Sequence, residues 1–190
     1  IVQAGVNTMG TDQIAAWGIC DKLNMLIWLM SDSMGPALTT FTAQNLGAKN
    51  PERIRKGIAV GTSMSAGAVA LISVGLFFFA RILTPLFVSS QDAASLGVLV
   101  GTYSRMMAPF FFFYAIAEAL SGACCGTGDT IRPMITTLLA ICLLRVIGIL
   151  AVLPIYGTME CIVVIYIASW IAAGVSFLAL WRFDVAHISK

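Results

Sequence analysis

Gly57 to Ala80 is a run of 24 residues without a charge, and Cys161 to Trp181 is a second of 21. A helix needs about 20 consecutive, mostly apolar residues to cross the hydrocarbon of a bilayer. Backbone amides find no water in lipid, so such a run must satisfy them internally, as a helix does. Two such runs in 190 residues point to a helical membrane protein. Composition agrees: 59% of residues are apolar and 11% charged, with a mean hydropathy of +0.92. Soluble domains sit near ~45–50% apolar and ~25% charged. So few charges cannot coat a soluble surface, and a net charge of +2 is too small to indicate nucleic acid. The expected fold class is all-α, a polytopic membrane helix bundle.

Positive charge is concentrated in Gln44 to Gly57, where Lys49, Arg53, Arg55 and Lys56 face one anion, Glu52. By the positive-inside rule this is a cytoplasmic loop. A solvated charge run on a soluble protein is the alternative, and the surrounding composition disfavours it. Asn50 is placed to cap the next helix, with Pro51 at its first position. The helices expected are 1–9 (partial), 12–46, 51–83, 91–125, 130–153 and 159–183. Ile1 to Met9 reads as the tail of a truncated first helix, and no signal peptide is visible. Thr11 or Asp12 is a candidate N-cap, Ser89 with Asp92 a capping box, Asp129 or Thr130 a further cap, and Pro154 to Thr158 an outer turn. With loops 44–57 and 126–132 and the C-terminus inside, inner segments hold seven cations (Lys49, Arg53, Arg55, Lys56, Arg132, Arg182, Lys190), whereas outer loops hold only Arg81.

The long helix 12–46 carries a polar stripe. Asp21, Asn24, Trp28, Ser31, Asp32, Gly35, Thr39 and Thr42 recur at three and four residues, which is one helix face. The opposite face carries Leu23, Ile27, Met30, Met34 and Leu38. Within a membrane the polar face needs partner helices or a water-filled cavity, and the apolar face meets lipid or packed helices. Pro36 falls where a kink is expected. Helix 51–83 is rich in Gly, Ala and Ser, residues that let membrane helices approach closely.

Asp32 lies near the middle of its helix, where an ionised carboxylate costs ~2.5–3.5 kcal/mol on insertion scales. It is a candidate cation or proton site, or a counter-charge for substrate. The competing reading is a carboxylate paired with a neighbour or reached by water. Asp21, nearer the outer end, suits a solvated vestibule. Glu118 is a candidate for proton coupling, or for a structural pair with a cation or helix N-terminus. Arg145 is expected to neutralise a carboxylate on another helix rather than touch substrate, and Arg105 to snorkel to the interface. Met25, Trp28, Met30, Met34, Met106, Met107 and Phe110 to Tyr114 suit either a greasy pocket or core and lipid contacts. Trp28 stands out because it lies on the stripe.

Cys20, Cys124, Cys125, Cys142 and Cys161 show no metal-ligand or disulfide spacing and read as buried, reduced hydrophobes. Gly126-Thr127-Gly128-Asp129-Thr130 lacks the Lys and spacing of a phosphate-binding loop. No nucleophile–base pattern is present, and the single His187 lies in the tail. No metal, cofactor or enzymatic activity is expected.

Thr42-Ala43-Gln44-Asn45-Leu46-Gly47-Ala48-Lys49-Asn50, followed by Arg53, resembles the signature after the second helix of each lobe in MATE (multidrug and toxic compound extrusion) transporters. Gly122 to Met134, with Gly126, Gly128 and Asp129, is similar to the family's turn between the fourth and fifth helices. Cys142 to Arg145 and Tyr166 to Trp170 are similar to the C-terminal lobe of a bacterial subgroup. Cys125 and Ala168 depart from that subgroup, which often has Arg and Pro there. The family carboxylate for a coupling cation falls near Tyr114, with Glu118 one turn later. The resemblance covers essentially the whole chain and implies one six-helix lobe (1–190) of a twelve-helix, two-lobe fold. Its first helix would be truncated and its N-terminal lobe missing.

The resemblance also implies export of small organic cations and drugs from a bacterial cytoplasmic membrane, by alternating access driven by sodium or protons. A flippase for lipid-linked saccharides is an alternative, but a pyrophosphate calls for a more cationic cavity. Asp21 and Asp32 outnumber Lys22 on the stripe. A non-transporting membrane scaffold is the third reading.

Overall fold

The computed structural model describes the backbone of residues 2–89 and 92–188 and the side chains of 3–89 and 92–182. Ile1, the helix start expected at Gln91, the side chain of His187 and the terminal Lys190 lie outside the described residues. All regular structure among the described residues is helical. The elements are α1 (Val2–Val6), α2 (Thr11–Gly47), α3 (Pro51–Leu83), α4 (Ala93–Met107), α5 (Phe111–Gly126), α6 (Ile131–Thr137), α7 (Leu144–Tyr156) and α8 (Met159–Ile188). Single 3-10 turns follow α3 (Thr84–Leu86) and join α4 to α5 (Ala108–Phe110), and a π-helical turn (Leu138–Leu143) joins α6 to α7.

Four stretches are long and apolar enough to cross a bilayer: 51–86, 93–126, 131–156 and 159–182. The chain is an integral membrane helix bundle. α2 is longer than any of the single helices around it, at 37 residues, yet it is not among the four. Its polar stripe dilutes its hydropathy. At ~1.5 Å per residue it extends ~55 Å, well beyond a ~30 Å hydrocarbon core.

α5 stands at the centre, packed against α2, α3 and α8. One core gathers Trp17, Ile27, Tyr103, Phe111 and Trp170, and a second gathers Leu38, Ile54, Ile58, Ala119 and Phe177. The two faces expected on α2 merge into one seam. Asn24, Ser31, Gly35 and Thr42 from the polar stripe are buried together with Leu23, Ile27 and Leu38 from the apolar face. Asp21 and Asp32 stay at the exposed edge. Helices rather than water therefore cover most of the stripe, and lipid-type exposure falls on Met25, Leu26 and Leu29.

The tightest helix contact lies between α2 and α5. A Cβ on Gly122 would collide with the main chain of Gly35, and one on Gly126 would sit 2.6 Å from the Thr39 carbonyl oxygen. Thr39 Oγ1 donates to the Gly122 carbonyl at 2.8 Å across this crossing. This is a Gly-x-x-x-Gly approach, on α5 instead of α3. On α3 only part of the small-residue surface is used: Gly57 and Gly61 lie under Phe41 and Leu38, while Gly67 and Gly75 have open space.

Several ends differ from expectation. α2 begins at Thr11 behind Gly10 (φ 88), with no side-chain cap from Thr11 or Asp12. Ser89 Oγ donates to the Asp92 carboxylate at 2.9 Å instead of closing a capping box. The expected helix 91–125 is broken at Pro109, whose ring removes an amide from the ladder, and a 3-10 turn absorbs the change. α7 continues through Pro154 and ends at left-handed Gly157 (φ 59), whose N–H reaches the Leu153 carbonyl. Asn50 accepts from Arg53 N at 3.1 Å ahead of Pro51, and Asp129 accepts from Arg132 N at 3.2 Å, so both caps lie where the sequence places them. All five cysteines are free, but Cys142 on the π turn is exposed and Cys125 and Cys161 are half-buried, so only Cys20 and Cys124 match the buried expectation.

Candidate functional site

Asp32 on α2 and Tyr114 on α5 meet at the edge of the α2–α5 seam. The Tyr114 hydroxyl donates to Asp32 Oδ1 at 3.0 Å. The break at Pro109 sets the start of α5, and Tyr114 follows one turn later. Trp28, one turn before Asp32 on the same face, packs edge-on against Tyr114 with ring centroids 4.7 Å apart. Behind this pair Trp28 also meets Phe111 at 5.7 Å and Trp170 of α8 at 5.8 Å. Phe111 and Trp170 are fully buried, so they form a wall; Trp28 and Tyr114 are half-buried and face outward. Edge-to-face aromatic pairs of this kind contribute ~0.5–1.5 kcal/mol beyond their area, which fixes the ring that holds Asp32.

Glu118 follows Tyr114 by one turn of α5 and lines a cavity of ≈ 440 Å³ with Gly35, Pro36, Thr39, Ser121, Gly122 and Cys125. It interacts electrostatically with both Asp32 and Tyr114. Among the described residues no cation lies within ion-pair distance of it. Pro36 adds a feature to the same spot. It has no N–H to give the carbonyl of Asp32 four residues earlier, so that oxygen lacks its usual helical donor.

Arg145 corrects an expectation. Among the described residues no carboxylate lies within ion-pair distance of it. Its guanidinium lies 4.0 Å from the Tyr166 ring centroid, and Nε donates to Ser169 Oγ at 2.9 Å. The π turn immediately before it shifts the register of the helix, which carries Arg145 onto α8. Arg105 stays exposed and donates to the Phe77 carbonyl at 3.3 Å.

Asp32, Trp28, Tyr114 and Glu118 thus stand together. Asn24 does not join them: it is buried against Met107, with Nδ2 at 3.8 Å from the sulfur. Asp21 remains exposed about three turns away. Tyr166, Ser169 and Trp170 enter the surroundings of the site although sequence reasoning assigned them no role there. Their signal was present as i, i+3 and i+4 spacing on one face of α8. Met107 and Phe111 are core, while Met25 and Phe112 are exposed; Tyr114 bonds the Asp32 carboxylate and Trp28 packs against Tyr114. The signature positions Gln44, Gly47, Ala48 and Arg53 surround the exposed α2–α3 turn, away from this cluster. No group of three or more His, Cys, Asp or Glu side chains stands together among the described residues.

The MatE family model matches residues 1–150. Among curated proteins the chain is 24% identical over 144 residues to "Probable multidrug resistance protein YpnP" of Bacillus subtilis (strain 168), covering 76% of this chain and 32% of that protein. It is 22% identical over 139 residues to "Probable multidrug resistance protein YoeA" of the same organism, 72% of this chain and 29% of that protein. It is 26% identical over 132 residues to "Probable multidrug resistance protein NorM" of Thermotoga maritima, 70% of this chain and 28% of that protein. The chain spans about a third of the length of the curated relatives it matches.

Proposed function

The chain belongs to the MatE family, and on that premise we propose that it forms part of a multidrug exporter that moves organic cations by alternating access, coupled to influx of sodium ions or protons. It is a transporter rather than an enzyme, and the rest of the transporter supplies a second lobe of similar architecture. The names of the relatives support the efflux reading, and their greater length supports the second lobe.

The observation that carries the reading is the Asp32–Tyr114–Trp28 cluster at the exposed edge of the α2–α5 seam. A carboxylate beside two half-buried aromatic rings suits a bulky organic cation, which gains from ring faces and from the negative charge. Tyr166 is less available, since Arg145 already covers its face. Glu118 and Asp32, with Tyr114 between them, offer oxygens for the coupling ion. The Asp32 carbonyl without its helical donor adds another of the kind that holds ions at broken membrane helices. Binding either ion or substrate at one shared carboxylate pair makes the two compete, which is the requirement for exchange.

The test is efflux of a cationic dye from cells expressing the complete transporter. Asp32→Asn and Glu118→Gln each lower the initial efflux rate roughly tenfold, the factor expected from losing ~1.4 kcal/mol of charge interaction. Wild-type rates in both variants would remove the cluster from the mechanism. Proteoliposomes with an imposed sodium or proton gradient identify the coupling ion, since only the true one drives uptake of dye against its gradient.

A further inference from the structure

The first turns of α3 and the end of α2 enclose a groove of ≈ 490 Å³ lined by Phe41, Asn50, Glu52, Arg53, Lys56, Gly57 and Val60. We propose that this groove holds one anionic phospholipid of the adjoining leaflet. Its phosphate lies at Arg53 and Lys56, and an acyl chain runs over Phe41 and Val60.

The groove is polar at one end and apolar at the other, in the order a lipid requires. Arg53 and Lys56 lie in the first two turns of α3, and Val60 lies ~10 Å further along the axis. Between Val60 and Phe79 the exposed surface of α3 is apolar apart from Ser63, with Val60 57%, Met64 62% and Leu71 77% exposed. This is the surface of a bilayer span, which sets Arg53 at headgroup level. Arg53 has no carboxylate partner among the described residues, while Lys56 is paired with Glu52 at 2.7 Å. Arg55, with Lys56 and Glu52, borders a second cavity of ≈ 470 Å³.

The helix terminus is not the anion receptor, since the Asn50 side chain already takes the Arg53 amide. Side chains therefore meet the phosphate. Gly57 shapes the floor: any Cβ there would collide with the Phe41 ring, so glycine lets that ring lie flat against α3 and leaves the groove open. A basic cluster beside a span attracts anionic lipid by roughly 1 kcal/mol per cation near the surface, and here an apolar channel continues from it.

The experiment measures lipid binding to the complete purified transporter in detergent by native mass spectrometry. Phosphatidylglycerol and phosphatidylcholine with identical chains are the probes. Phosphatidylglycerol binds more tightly. Arg53→Gln weakens it roughly fivefold, whereas Arg182→Gln, an exposed cation outside the groove, leaves it unchanged. Added salt weakens phosphatidylglycerol and not phosphatidylcholine in the unaltered protein, a readout that needs no variant to fold. Equal binding of the two lipids, or full retention in Arg53→Gln, overturns the proposal. Glycerol phosphate that displaces the lipid at equal concentration overturns it too, because the groove would then be a site for soluble phosphate. None of these readouts depends on efflux.

Discussion

Tyr114 has one hydroxyl proton to give, and Asp32 takes it. A hydrogen bond to a charged group contributes about 1.5–3 kcal/mol, so this bond holds the carboxylate in place against water at an exposed edge. Tyr114→Phe keeps the ring, its contact with Trp28 and the volume of the wall, and removes only the donor. Dye efflux is expected to fall roughly fivefold in Tyr114→Phe. The double variant with Asp32→Asn is expected to be no slower than Asp32→Asn alone, since both changes break one interaction. Full additivity of the two effects would mean that the hydroxyl acts elsewhere. Three- and four-residue spacing is enough to put Trp28 and Asp32 on one face, and this is why they were legible in the sequence. Periodicity says nothing about which helix faces which. Arg145 is the case in point. Its charge called for a carboxylate, and the fold answered with an aromatic face and a hydroxyl from α8, whose identity depends on a π turn that leaves no clear mark in the residues Leu138 to Leu143.

At the level of helices, the α2–α5 crossing decides whether the site exists at all. Asp32 and Gly35 are one turn apart on α2, as are Glu118 and Gly122 on α5, so the glycine contact sets the distance between the two carboxylates. Gly122→Ala inserts a methyl into the Gly35 main chain and cannot be relieved by a side-chain rotation. It is expected to destabilise the transporter by about 1–3 kcal/mol, seen as a lower midpoint in thermal unfolding followed by size-exclusion chromatography. Gly67→Ala on α3, where a Cβ meets nothing within 4 Å, has the opposite expectation: it gains up to ~1 kcal/mol of helix propensity. Equal effects would mean that the crossing is looser than the structure has it. Richness in small residues pointed to α3, because composition counts residues without weighing what stands opposite them. Pro109 was equally hard to place. A proline inside a long apolar run is compatible with a kinked membrane helix, and only its neighbours determine that the chain breaks into α4 and α5 there.

For the molecule as a whole, the contacts define two ends. Gly126 lies under Thr39 and Thr42, so the α5–α6 turn shares an end with the α2–α3 turn. Gly97 packs on Arg81 and Thr84, Lys22 lies over the Phe87 ring at 5.7 Å, and Gly5 meets Ile149 and Leu153. Those residues form the other end, together with the α7–α8 turn at Gly157. Two spans were readable from uncharged runs alone; the spans that carry Arg105 with Glu118 and Arg145 needed further argument, and the polar α2 was legible only from its periodicity, because a polar stripe buried between helices lowers the hydropathy of the helix. Charge then gives an expectation for the orientation: by the positive-inside rule the end with Lys49, Arg53, Arg55 and Lys56 belongs in the cytoplasm. Single cysteines at Lys49→Cys and Thr158→Cys, in a version lacking the five native cysteines, test this in intact cells. A membrane-impermeant maleimide is expected to label Thr158→Cys from outside and Lys49→Cys only after permeabilisation. The reverse pattern would invert the bundle and put Arg53 and its groove in the outer leaflet. Labelling of both from outside would deny that the two turns lie on opposite sides of the membrane, and with it the alternating access that Asp32 and Glu118 are proposed to serve.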